Sequence, residues 1–291
     1  HPISSTHIHD ELHARCLVLD NGETRLAFVV CDLLGASREV YDEARRLVTE
    51  ETGLPGAHLF MSSTHTHSAT SALGTNRFRI NAPLDDYQQL VARRIADGVR
   101  RAINNLAPAR IGWATGKEPN QVFNRRWFLK PGTMPMNPFG STNDLVKMNP
   151  GRASKDLDRP SGPTDPEIVL LSVQTADGQP LAVMANYSLH YVGGVPGGHI
   201  SADYFALFCD RLQQLLGADR QGPPFVAMLA NGTSGNINNI DFSKPGVKEE
   251  PYAKMKIVAD DVAAATFKAM QGIQYHDWVP LKGELRELDL A

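Results

Sequence analysis

Short apolar runs alternate with longer amphipathic ones along this chain, and that alternation constrains its fold more than any other feature. Arg15 to Leu19 and Leu26 to Cys31 flank Asn21-Gly22, a pair suited to the positive φ angles of a tight hairpin. An amphipathic run follows from Ser37 to Thr52, then a strand from His58 to Ser62. Between Leu84 and Leu106, the residues Tyr87, Leu90, Val91, Ile95, Val99, Ile103 and Leu106 recur at steps of three and four, which is one face of a long helix. Ala109 to Thr115 returns to strand character. Farther on, Glu167 to Gln174 and Pro180 to Tyr187 read as a strand pair around Asp177-Gly178, and Phe225 to Ala230 as a buried strand. Asp203 to Leu216 and Tyr252 to Met270 read as helices. The pattern predicts an α/β fold, a mixed β-sheet core flanked by helices.

At 291 residues and 42% hydrophobic, the chain buries a large core, which excludes a disordered or fibrous protein. Its formal charge of -3 offers no basic excess for nucleic acid or an anionic membrane surface. The longest apolar stretches fall far short of the roughly 20 residues that cross a bilayer, so no transmembrane segment is expected. Cys16, Cys31 and Cys209 lie far apart in apolar runs and read as buried free thiols. The chain opens at His1 without a methionine, which we read as a trimmed N-terminus. Gly283 to Ala291 closes on the alternating Leu288-Asp289-Leu290, strand character with no turn after it, so the natural chain is expected to continue.

Lys117 to Pro166 breaks the pattern. It holds 8 of the 19 prolines, little periodicity, and the large apolar residues Trp127, Phe128, Met134, Met136 and Phe139. A long Pro-rich loop region of this kind, with embedded aromatics, is expected to pack over a site at the strand ends rather than to link domains.

Three strand ends carry polar clusters. Ser62-Ser63-Thr64-His65-Thr66-His67-Ser68 follows the strand His58 to Ser62. In extended backbone, residues two apart face one side, so His65 and His67 are able to present both imidazoles to one point. That is metal-ligand geometry, with neighbouring hydroxyls to fix the ring tautomers. His190 follows a second strand, just before the Gly193-Gly194 and Gly197-Gly198 turns. Asn231 to Asn239 follows a third, and its four asparagines in nine residues suit a substrate-contacting loop.

Taken in order, His9-Asp10-Glu11-Leu12, Thr64-His65-Thr66-His67-Ser68, Asn124-Arg125, His190, Ser201-Ala202-Asp203 and Asn231 to Asn239 resemble the N-terminal catalytic domain of neutral/alkaline ceramidases and their bacterial relatives. The resemblance covers nearly all of residues 1–291. It implies a zinc amidohydrolase that cleaves the N-acyl bond of ceramide, a small-molecule or lipid substrate with an acyl group, and a secreted or periplasmic setting. It also implies that His65 and His190 are zinc ligands, that His67 is a neighbouring active-site histidine, and that Arg125 faces the substrate. Physically, a zinc ion activates water and polarises the scissile carbonyl. His67 then shuttles a proton to the leaving nitrogen, and Arg125 steadies the oxyanion.

Two departures narrow that expectation. Where the family reads Gly-Asp-Val-Ser-Pro-Asn, this chain reads Gly235-Asn236-Ile237-Asn238-Asn239-Ile240, so the family's serine falls on Asn238 and its aspartate on Asn236. An amide is no hydroxyl nucleophile, though Asn236 and Asn238 can still hydrogen-bond a substrate. A metal-hydroxide mechanism survives this change, with a metal-dependent esterase or amidase of another substrate as one alternative. A non-catalytic lipid- or small-molecule-binding relative is another. The family also completes its zinc shell with a glutamate and a tyrosine that have no match before Ala291. Either those ligands lie beyond this chain, or an internal acid such as Asp32 substitutes for them.

Overall fold

The structure, a computed structural model, describes residues 4–74, 82–218 and 221–288. Asp289 and Leu290, part of the alternation noted above, lie outside them, and Gly283 to Leu288 forms no strand.

The fold is α/β with mixed sheets, and the core is split between two of them. One sheet runs in the order Ala14–Asp20, Arg25–Cys31, Leu59–Ser63, with the first pair antiparallel and the second parallel. The other runs Val226–Asn231, Pro180–Tyr187, Glu167–Gln174, Arg110–Lys117, with its first pair parallel and the others antiparallel. The hairpin at Asn21-Gly22 forms as its residues dictate. Gly22 takes φ 85°, and the Asn21 Oδ1 accepts from Thr24 N at 2.8 Å.

Alternation along each strand then sorts side chains between two faces. Ala27, Val29 and Cys31 face helices Arg38–Thr52 and Asp86–Asn104, packing on Val40, Ala44, Val48, Ile95 and Val99. Val30 and Leu17 face the other way, onto Val173, Ala182, Met228 and Ala230 of the second sheet. From that sheet Ile168, Leu170, Val183, Ala185 and Tyr187 point outward to helices Asp203–Leu215 and Ala253–Met270. The result is four layers, with helices outside and two sheets face to face within. Helix Asp86–Asn104 begins with a reciprocal Asp85–Gln88 capping box. It approaches its sheet so closely that a Cβ on Gly98 would lie 2.6 Å from the Cys16 sulfur.

Lys117 to Pro166 is not the plain loop that its prolines suggest. Arg126–Leu129 pairs antiparallel with both Lys147–Met148 and Leu157–Pro160, and Phe123–Asn124 pairs with Ile237–Asn238. These strands of two to four residues are too short to leave a periodic signature. Trp127 is buried, its indole N–H donating to the Asn124 carbonyl at 3.0 Å, so it anchors this region. Phe139 is 94% exposed and Met136 70%, and neither supplies the apolar cover expected of them. Cys31 and Cys209 are buried free thiols, whereas Cys16 is half-buried. Among the described residues, no helix is long and apolar enough to cross a membrane.

Met228 is fully buried between the sheets. Met228→Ala should lower stability by about 2–5 kcal/mol, read as a lower urea midpoint with an unchanged slope.

Candidate metal centre

Both sheets end their parallel pairs on the same rim. Arg25–Cys31 and Leu59–Ser63 run side by side, so Asp32 and Thr64 leave together, as do Ser188 and Gly232 after Pro180–Tyr187 and Val226–Asn231. Hydrogen bonds join the rims, among them one from the Asn231 amide to the Thr64 carbonyl at 3.2 Å and one from Ser201 N to the Ser68 carbonyl at 2.9 Å.

His65, His67 and His190 converge there, each offering a ring nitrogen within 4.8 Å of the others. The route differs from the extended backbone expected of His65 and His67. His65 is left-handed at φ 64°, a costly conformation for a residue with a Cβ. Its N–H donates to the Leu33 carbonyl at 3.0 Å, and the His65 and His67 rings stand nearly perpendicular, 5.0 Å apart. His65 and His67 are exposed, and His190 is buried.

The partners fix where the ring protons sit. His65 Nδ1 lies 2.8 Å from the Leu34 carbonyl, so it donates and leaves Nε2 with a free lone pair. The Arg125 Nη1 lies 2.9 Å from His190 Nδ1; a guanidinium only donates, so that nitrogen accepts and the proton sits on Nε2. His190 Nε2 in turn lies 2.9 Å from His67 Nε2. Burial, Arg125 and the other two imidazoles push His190 down to about 4. Burial, His65 and Arg125 also lower His67. Both rings are therefore neutral at pH 7, and imidazole nitrogens are donors that suit a metal ion. A metal bound at His190 takes a lone pair now used by Arg125, or a nitrogen whose proton faces His67.

Arg125 is built into the rim at three points. Its N–H donates to the Asn236 carbonyl at 2.8 Å and its Nε to the Gly235 carbonyl at 3.0 Å, leaving Nη1 for His190. Asn236 is exposed, and its Oδ1 accepts from Arg126 Nε at 2.7 Å. Asn238 is buried, and its Oδ1 accepts from Ile240 N at 3.0 Å, which braces its own loop.

Asp32 does not substitute for the missing acid. It is fully buried, paired with the Arg15 guanidinium and accepting from His13 N at 3.0 Å, outside the imidazole group. Sequence reasoning counted Thr66 among the hydroxyls near the rings, Asp203 in a piece of the resemblance and Asn239 in a substrate-contacting loop, but not the bonds they make. Asn239 clamps the chain beyond His190, accepting from Val192 N at 3.0 Å and donating to its carbonyl at 3.1 Å. The asparagine-rich run was its only signal. Asp203 is fully buried and binds Thr66 and His67; an acid at the start of an amphipathic run reads from sequence as an ordinary first-turn residue.

No family model matches the chain. Solved structures do. A structure described as a ceramidase complexed with C2 superposes with a TM-score of 0.67 at 18% identity, over 93% of this chain and 40% of that one. The neutral ceramidase from Pseudomonas aeruginosa gives a TM-score of 0.56 at 20% identity, over 87% and 37%. The chain thus has the fold of these ceramidases and spans about two-fifths of their length.

An unfolded histidine titrates near 6.5. As pH falls from about 6.5 towards 4, the unfolded chain takes up a proton that folded His190 refuses, so stability drops through that window. His190→Gln removes this contribution. The fall in Tm between pH 7 and 4.5 should be smaller in the variant than in the parent, as followed by calorimetry.

Proposed function

We propose that the protein is a zinc-dependent hydrolase of an N-acyl bond, ceramidase-like in chemistry as well as in fold. The observation that carries this reading is the meeting of three imidazoles and a guanidinium at one rim of a ceramidase fold. His65 and His190 would hold the ion. When bound, zinc lowers the pKa of a water to about 7 and polarises an acyl carbonyl.

The remaining work falls to side chains of this chain. Arg125 cannot lose its proton at any working pH, so it supplies a fixed positive charge to an acyl oxygen as that oxygen becomes anionic. Its backbone and Nε are tied to the Gly235–Asn236 turn and its Nη1 to His190, which holds the guanidinium beside the imidazoles. His67, neutral and exposed at the same point, takes a proton at Nε2 and delivers it to the leaving nitrogen. Asn236 and Asn238 line the turn that faces the acyl group, where their amides offer hydrogen bonds and no nucleophile. The substrate is a small molecule or lipid that carries an acyl group.

Zinc-loaded full-length protein should release fatty acid or amine from a panel of N-acyl lipids, N-acyl amino acids and simple esters. A chelator should abolish the release and added zinc restore it. Metal bound without turnover on any member assigns the protein instead to the binding relatives, the reading favoured by Asn238 at the serine position. Arg125→Ala should lower kcat/KM by about 10²–10³-fold with zinc content unchanged. His67→Ala should keep zinc and lose turnover; loss of the zinc itself would place His67 among the ligands.

A further inference from the structure

Asp203 opens helix Asp203–Leu215, and it is fully buried. Its Oδ2 accepts from the Thr66 hydroxyl at 2.6 Å and from the His67 N–H at 3.1 Å. Its Oδ1 has no hydrogen-bond partner among the described residues. Its backbone is left-handed, at φ 55°. A buried carboxyl, an unpaired oxygen and a strained backbone are each unfavourable, and together they mark a residue retained for what it holds.

What it holds is the peptide between Thr66 and His67, within the turn that also carries His65. The same turn is gripped at its far end, where Ser201 N donates to the Ser68 carbonyl at 2.9 Å. Residues 201–203 are themselves fixed by Asp10, which accepts from Ala202 N at 2.6 Å and from the Ser201 hydroxyl at 2.5 Å. A chain of hydrogen bonds therefore runs from Asp10 through Ser201–Asp203 to the backbone of the histidine turn.

We infer that Asp203 is a positioning residue that sets the affinity of the His65–His67–His190 group for a zinc-type ion, by pinning the Thr66–His67 peptide to the second sheet and its helix. The inference rests on the metal-centre reading above. The pinned peptide belongs to the turn that carries His65, whose ring nitrogen stands several ångströms from its own backbone, so a small rotation of the turn moves that nitrogen farther than the roughly 0.2 Å a metal ligand tolerates. The ordinary role of an acid in a first helical turn is to complement the helix dipole. That role needs neither the Thr66 hydroxyl nor the His67 N–H, and the two are separable by mutation.

The test measures zinc affinity of the full-length protein by competition with a chromophoric chelator, with circular dichroism to confirm folding. Asp203→Ala should bind zinc about 10–100-fold more weakly, the range for loss of an outer partner. Asp203→Asn, whose amide oxygen accepts the same two hydrogen bonds, should recover to within about threefold of the parent. Thr66→Val removes the hydroxyl that donates to Asp203 and to the Ser201 carbonyl, keeps the Asp203 bond to the His67 N–H, and should fall between the two. Parent-like affinity in Asp203→Ala, or Asp203→Asn as weak as Asp203→Ala, overturns the inference. If Asp203→Ala does not fold, Thr66→Val decides, and unchanged affinity there overturns it. A parent that binds no zinc sinks the functional reading. The positioning role is then decided by long-range nitrogen–proton NMR of the imidazoles, where unaltered His67 ring signals in the Asp203 variants count against it.

Discussion

Leu17 and Val30 on one sheet pack against Val173, Ala182, Met228 and Ala230 on the other, and the candidate centre depends on that seam. His65 and His67 belong to a turn that leaves the first sheet; His190 leaves the second. Nothing in either sheet alone sets the spacing of the rings. Close packing of the seam does, because an interior at crystal-like density allows the sheets few ways to dock. The cross-rim bonds from Asn231 to Thr64 and from Ser201 to Ser68 then fix the register of the turns.

The charged groups near the centre support it from behind. Asp32, paired with Arg15, braces the start of the segment whose Leu33 and Leu34 carbonyls receive the backbone and ring N–H of His65. Burial raises the Asp32 carboxyl, and the Arg15 guanidinium opposes that shift. Asp203 plays the matching part for His67. Two buried acids thus stabilise the backbone on either side of the imidazoles without entering the donor group.

Most of the major elements were legible in the sequence because they are long or regular: the strands Glu167–Gln174 and Pro180–Tyr187 fall where their alternation places them. The gathering of His65, His67 and His190 could be read from their positions after strands, and that of Arg125 beside them only from the family resemblance. The division into two sheets could not. Val29 and Val30 look alike in sequence, yet one faces helices and the other a sheet. The short strands between Phe123 and Pro160 were hidden because two to four residues carry no period. Ser201-Ala202-Asp203 was visible as part of the resemblance, but what Asp203 binds was not: its partners lie more than a hundred residues away, and local sequence carries no trace of them.

That separation has a kinetic side. Thr66 and Asp203 are 137 residues apart, His67 and His190 123, and Arg125 and His190 65. The helices and strands before residue 105 share one apolar cluster, and most of those after it share another. Each half can condense around its own cluster, while contacts that span the chain pay their loop-closure entropy first and form slowly. The imidazole group is therefore among the last features to assemble. A half-folded chain offers isolated histidines but no common point for an ion, so the imidazole group is withheld until the two halves have docked.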